Sequence, residues 1–210
     1  MTSSSRIAVL DYGIGNLRSA QKALEYLGAQ AELTADHRQI AAADAVVLPG
    51  VGAFGRCVEA LAEADLAEVA HQAAIEASQG GRPFIGICVG MQMLFSTSSE
   101  SPGQGGLGVF PGQIGPLADD VKHPQMQWNQ LEFSSHPMFA GLSKNAWVYF
   151  VHGYVGPITE HTVATCDYGG PVCAALAQKN LWATQFHPEK SGPTGLTVLN
   201  NFLNETAGSS

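Results

Sequence analysis

A chain of 210 residues, 45% hydrophobic and 13% charged, is long enough to bury one sizeable core without staples and too apolar to be disordered. Its net charge of −8 argues against duplex DNA, RNA or an anionic membrane as the main partner, because each of those selects a basic face. No run approaches the roughly 18 uninterrupted apolar residues of a membrane-spanning helix, and the start MTSSSR leads into IAVL without an apolar signal core. A cytoplasmic location is therefore expected.

The first half alternates strand and helix signals. Arg6–Leu10 is a short apolar strand ending at Asp11-Tyr12-Gly13. Asn16 can cap a helix with apolar positions Leu17, Ala20, Leu24 and Leu27, and Gly28 ends it. Strands follow at Ala31–Thr34 and Ala45–Leu48, then the turn Pro49–Gly52 and an alanine-rich helical stretch to about Gln79. Pro83–Ile87 is a fourth strand, and the segment after Cys88 reads as helix. This alternation predicts an α/β fold: an open, doubly wound, mostly parallel sheet with helices on both faces.

The C-terminal half adds antiparallel character. Glycine and proline break it into short strands at Gln130–Phe133, Trp147–Val151, Thr162–Cys166, Val172–Ala177 and Leu181–Phe186. A last helix, roughly Thr194–Asn204, closes one domain with its core at about residues 6–204. The four cysteines form no C-x-x-C pair, although Cys166 and Cys173 could face each other across a hairpin. Reduced thiols and no metal or other cofactor are the expectation.

Three stretches carry chemistry. In FIGICVGMQ (84–92), Cys88 stands at a strand-to-helix junction, at the carboxyl edge where open α/β sheets place ligands. Gly86 and Gly90 supply the small neighbours that a strand–nucleophile–helix turn requires, and a helix N-terminus would favour the thiolate and offer amide donors. A buried structural cysteine is the competing reading. In TQFHPEKSG (184–192), His187 and Glu189 are two apart, and an extended segment around Pro188 puts both side chains on one face. That would supply a base and its orienter; a surface turn is the alternative. In PGVGAFG (49–55), Gly50, Gly52 and Gly55 match the dinucleotide fingerprint by spacing. However, they follow the third strand, and position 71–72 holds His-Gln where that fingerprint asks for an acid about 20 residues on. A glycine turn with free amides aimed at an oxyanion suits the neighbourhood of a nucleophile better.

Together, Gly86–Gln92, His187-Pro188-Glu189 and Pro49–Gly52 resemble the class I (triad) glutamine amidotransferases. With Asp11–Leu17 (DYGIGNL), Pro49–Phe54, Trp128-Asn129, Phe150–Tyr154 and Ala183–Gly192, the chain is most similar to the glutaminase subunits of imidazole glycerol phosphate synthase. The resemblance covers about residues 6–203. It implies that Cys88 attacks the side-chain amide of glutamine to give a γ-glutamyl thioester, with His187 shuttling protons and Glu189 orienting it. It further implies an oxyanion hole from the backbone of Val51 or Gly52 and of Val89, and substrate contacts from Gln92, His152, Gly153 and Tyr154. The implied partner is a (β/α)8-barrel cyclase subunit, with Tyr12, Gly13, Asn16, Arg18 and Trp128 as the docking face. Two positions depart from the family pattern. Ser96 stands where an acid is usual, making Glu100 a stand-in for the substrate's α-amino contact, and Pro124–Asn129 reads PQMQWN where PHMGWN is usual. A non-catalytic amidotransferase-like module, another amidotransferase type and a dinucleotide oxidoreductase are the competing functions. The intact Cys88, His187 and Glu189 count against the first.

Overall fold

A computed structural model describes residues 4–207. Five strands form its parallel half: β1 (Arg6–Leu10), β2 (Gln30–Thr34), β3 (Ala45–Gly50), β4 (Phe84–Cys88) and, from the far end of the chain, β13 (Leu181–Thr184). Between β4 and β13 the chain builds β5 (Phe95–Ser98), β6 (Phe110–Pro116), β7 (Gln125–Gln130), β8 (Glu132–Phe133), β9 (Trp147–His152), β10 (Tyr154–Val155), β11 (Thr162–Asp167) and β12 (Pro171–Gln178). The main sheet has the order β2-β1-β3-β4-β13-β12-β11-β8, with β12, β11 and β8 antiparallel. The rest pair in two small sheets, β10-β6-β5 and the ribbon β7-β9. Strands β3 and β4 are buried along their whole length, as a sheet covered on both faces requires.

Among the described residues, five α-helices lie between these strands, α1 (Leu17–Tyr26), α2 (His37–Ala42), α3 (Phe54–Glu63), α4 (Ala67–Ser78) and α5 (Val89–Gln92), and α6 (Gly192–Ala207) follows the last strand. The chain steps one way along the sheet from β1 to β2 and the other way from β3 to β4. Right-handed crossovers therefore place α1 on one face and α3–α4 on the other. Helix α1 packs over β1–β3 and against α6, while α4 lies over β4 and β13. The small residues Ala70, Ala73, Ala74 and Ala77 are buried there and let the helix come close to the sheet.

The structure refines several sequence expectations. The alanine-rich stretch is two helices, because Asp65 takes a left-handed conformation (φ 59°) and Leu66 turns into the core. The segment after Cys88 is helical for one turn only before β5 begins. Helix α2, led by the Asp36 carboxylate accepting from the amides of Arg38 and Gln39, and strands β5 and β6 carried no periodic signal long enough to read. Cys166 and Cys173 sit one register apart, opposite Val172 and Thr165, and all four cysteines are free thiols. Burial raises the Cys166 and Cys173 pKa values to about 11.

Candidate active site

Strand register brings the three chemical stretches together. Gly50 on β3 lies level with Cys88 at the end of β4, and Thr184 on β13 lies level with Ile87. The Pro49–Gly52 turn therefore leaves the carboxyl edge on one side of Cys88. Gln185-Phe186-His187 leaves it on the other.

Cys88 sits at φ 56°, ψ −110°, a conformation that L-residues adopt only when their surroundings impose it, at a cost of about 1–3 kcal/mol. The glycines around it are sterically required. A Cβ on Gly90 would lie 1.9 Å from the Leu48 carbonyl oxygen, and one on Gly86 would lie 2.8 Å from the Gly90 oxygen. Gly50 is the third member of the contact, its Cβ position being 2.7 Å from the Gly90 nitrogen. Two glycines of the apparent dinucleotide fingerprint are thus spent on packing, while Gly52 takes a left-handed conformation (φ 93°) with open space around it. Gly50 seats the turn against the elbow, and Gly55, in the first turn of α3, leaves room for the Ser101 side chain. Helix α5 has too few peptides for a large macrodipole. What a helix start can offer is the amides of its first residues, here Val89 and Gly90, which have no partner within the helix.

His187 and Glu189 are joined by an ion pair, Nδ1 to Oε1 at 2.8 Å, with both side chains almost wholly buried. The segment between them is a single 3-10 turn, Pro188–Lys190. It is anchored on β9: the His187 amide donates to the Tyr149 carbonyl, and the Ser191 hydroxyl donates to the His187 carbonyl while accepting from the Tyr149 amide. Burial alone would lower the His187 pKa. The Cys88 sulfur and the Glu189 carboxylate outweigh it and raise the pKa to about 10. Nε2 is buried without a hydrogen bond of ordinary geometry. The Cys88 sulfur and the Glu189 carboxylate thus favour the charged form of the His187 ring.

That assignment carries a sign. A pKa raised above the ordinary value of 6.5 stabilises the fold fully below pH 6.5, and the contribution is lost as pH rises through about 10. We expect the His187 ring, followed by 15N NMR, to titrate near pH 10 and to move down by more than one unit in Glu189→Gln. There the burial remains while one of the two opposing groups loses its charge. An unchanged titration would remove Glu189 from the electrostatics of the site.

A cavity of about 430 Å³ opens over Cys88. Among the residues lining it are Val51, Gly52, Val89, Gln92, His152, Gly153, Tyr154 and His187, so the oxyanion and substrate candidates reach it together with Cys88 and His187, while Glu189 stands behind the His187 ring. Glu100 lines it too, while Ser96 does not. Glu100 Oε2 accepts the Phe54 amide (2.8 Å) and caps α3, where Ala53 has no side chain to do so. His152 is a neutral imidazole: burial, then the charge on His187, lowers its pKa to about 4, and its Nδ1–H donates to the Tyr154 carbonyl. A larger cavity, about 490 Å³, lies by β1, β2 and α2, away from these groups.

One docking candidate is corrected. Tyr12 is only 5% exposed, and its hydroxyl donates to the Pro49 carbonyl at 2.5 Å. It braces the glycine turn from inside and presents no surface, since its ring fills the space beneath that turn. The Cys57 thiol does the same two residues further on, donating to the Val51 carbonyl at 3.3 Å. Gly13 and Arg18 are exposed, Asn16 lines the cavity mouth, and Trp128 is 47% exposed. Asn16 precedes α1 without a side-chain cap to the backbone; its Oδ1 accepts from the Ser19 hydroxyl.

Sequence reasoning missed Gln185. Its side chain is fully buried beside the sulfur, and its only signal was its place one residue beyond β13, level with Cys88. It also missed Cys57 and Tyr12 as braces, because neither sits in a motif with catalytic spacing.

Residues 8–206 match the family profile described as glutamine amidotransferase class-I. The chain is 45% identical to the imidazole glycerol phosphate synthase subunit HisH of Acinetobacter baylyi, over 95% of this chain and 98% of that one. It is 45% identical to the HisH of Synechococcus elongatus (99% and 96%) and 44% identical to that of Methanothermobacter thermautotrophicus (94% and 97%). Among solved structures, one described as a glutamine amidotransferase superposes with a TM-score of 0.72 at 22% identity (96% and 98%). PurLQS from Thermotoga maritima gives 0.71 at 21% (96% and 98%), and both likenesses speak to the fold.

Proposed function

The chain belongs to the class-I glutamine amidotransferases, and on that premise we propose that it is the cytoplasmic glutaminase subunit of an imidazole glycerol phosphate synthase, serving histidine biosynthesis. The observation that carries the reading is the arrangement of Cys88, held at φ 56°, beside a buried, charged His187–Glu189 pair under a glycine-rich turn. The Cys88 thiolate adds to the side-chain amide carbon of glutamine, and the amides of Val51 or Gly52 and of Val89 receive the oxyanion. His187 gives its proton to the departing nitrogen, so ammonia leaves and a γ-glutamyl thioester remains. His187, now neutral, takes a proton from water, and hydroxide attack releases glutamate and the thiolate. Throughout, Glu189 keeps the imidazole oriented and stabilises its charged form. Gln92 and the backbone around His152–Tyr154 hold the amino-acid end of the substrate.

Ammonia released into water at neutral pH is captured as ammonium and loses its nucleophilicity, so a synthetic glutaminase needs a dry exit. The cyclase partner, a (β/α)8 barrel, provides it by docking over the cavity mouth. The β7–β9 ribbon supports this placement. Its outward face carries Met126 (61% exposed) and Trp128 (47%) opposite Val151 and Tyr149, and Val151 also lines the cavity. An apolar, aromatic strip of this kind at the rim of a site suits burial against a partner. Gly13, Asn16 and Arg18 extend the same face.

Glutamate release from glutamine, measured with and without the cyclase partner and its nucleotide ligand, tests the reading. We expect low turnover for the chain alone and a large rise in the complex. No rise on adding the partner and its ligand would overturn the partner assignment, and no hydrolysis in any mixture would overturn the glutaminase reading itself.

A further inference from the structure

We infer that Gln185 is a catalytic residue: its carboxamide donates a hydrogen bond to the Cys88 sulfur and links the nucleophile to the substrate-holding strand. The inference rests on the nucleophile assignment above and adds a group that neither the triad nor the oxyanion turn accounts for.

The observation is a hydrogen-bond chain whose direction is fixed at one end. The Tyr154 main-chain carbonyl is an obligate acceptor, so the Gln92 group 2.9 Å from it is the Nε2 donor. That same Nε2 lies 3.1 Å from Gln185, which must meet it with its oxygen. The other end of the Gln185 carboxamide, Nε2, is thereby turned toward Cys88 and stands 3.7 Å from Sγ, within reach for a sulfur acceptor. Gln185 is fully buried, and its backbone amide is tied to the Ala174 carbonyl on β12, so the side chain is held from both ends. A buried carboxamide that aims an N–H at a thiolate favours the charged sulfur over the neutral thiol. Gln92 and Tyr154 both line the cavity. A substrate that shifts either of them moves the donor at the sulfur.

Other ionisable groups share this neighbourhood and set the background for any pH effect. They are His187 and Glu189 after β13, His152 on β9, Tyr12 after β1 and Cys57 on α3, with Glu100 and Lys190 at the cavity wall.

The test is the rate at which iodoacetamide alkylates Cys88, followed on the Cys88 peptide by mass spectrometry in the full-length chain. Gln185→Met keeps the shape and removes the donor. Gln185→Glu keeps the acceptor toward Gln92 but turns an oxygen on the sulfur. We expect both to fall about tenfold or more at pH 7, as the loss of about 1.4 kcal/mol of thiolate stabilisation requires. Either variant, folded by its thermal transition and alkylated at the wild-type rate, would overturn the inference. A third arm needs no variant: alkylating wild-type Cys88 should shift the Gln185 side-chain amide protons in the NMR spectrum, and unmoved protons would also overturn it. The alkylation readout does not use glutamine. A wild-type chain that fails to hydrolyse glutamine therefore sinks the glutaminase reading without deciding Gln185.

Discussion

Replacing Cys88 by alanine is expected to lower glutamine hydrolysis by about 10⁴-fold or more, in the isolated chain and in complex with the partner alike, while the thermal transition stays near that of the wild type. Among the described residues lining the cavity, Cys88 is the cysteine, and its sulfur lies beside the His187 ring. The surroundings of His187 favour its charged form, which makes it a poor base for direct attack by water. The remaining machinery, an oxyanion turn and a binding cavity, binds substrate but has no nucleophile to use. The strain at φ 56° is imposed by the packing of Gly86, Gly90 and Gly50 and does not depend on sulfur, so the fold should persist. Glutamate release measured with a coupled dehydrogenase decides the matter. Activity within a hundredfold of the wild type would mean that water, activated elsewhere, is the nucleophile.

The second large effect is on stability. Gly90→Ala should cost about 3 kcal/mol or more, because the new methyl would lie 1.9 Å from the Leu48 carbonyl oxygen, where neither partner can give way. The oxygen is main chain of the central strand β3, and the methyl is fixed directly to the main chain of the helical turn after Cys88. Relief demands that β3 and α5 separate, which would also carry Val51 and Gly52 away from the sulfur. Activity should therefore fall along with the urea midpoint. Gly115→Ala is the control, since a Cβ there meets nothing within 4 Å, and it should move the midpoint little. An unchanged midpoint in Gly90→Ala would show that the elbow has slack the packing does not reveal.

Much of the catalytic centre was legible without coordinates because its chemistry is local. Gly86-x-Cys88-x-Gly90 is a steric requirement written over five residues, and His187-Pro188-Glu189 places base and orienter within three. The strands β1, β3 and β4 were legible for a similar reason: a strand covered on both faces reads as an unbroken apolar run. The sequence by itself therefore pointed to Cys88, His187 and Glu189 as the candidate group and to four strands of the parallel half, whereas β13, expected among the antiparallel strands, pairs parallel to β4.

Only the tertiary structure decided what depends on registers between segments far apart in the chain. That Gln185 faces Cys88 follows from β4 pairing with β13 across nearly 100 residues. That Tyr12 and Cys57 brace two carbonyls of the glycine turn, those of Pro49 and Val51, follows from β1, β3 and α3 meeting at one sheet edge. Tyr12 illustrates the limit. In the sequence it is an aromatic residue in a glycine-rich loop, the profile of an exposed contact, and its burial depends on what packs around it. Local sterics and bonding are carried by neighbours in the chain, whereas burial and hydrogen-bond direction are carried by neighbours in space.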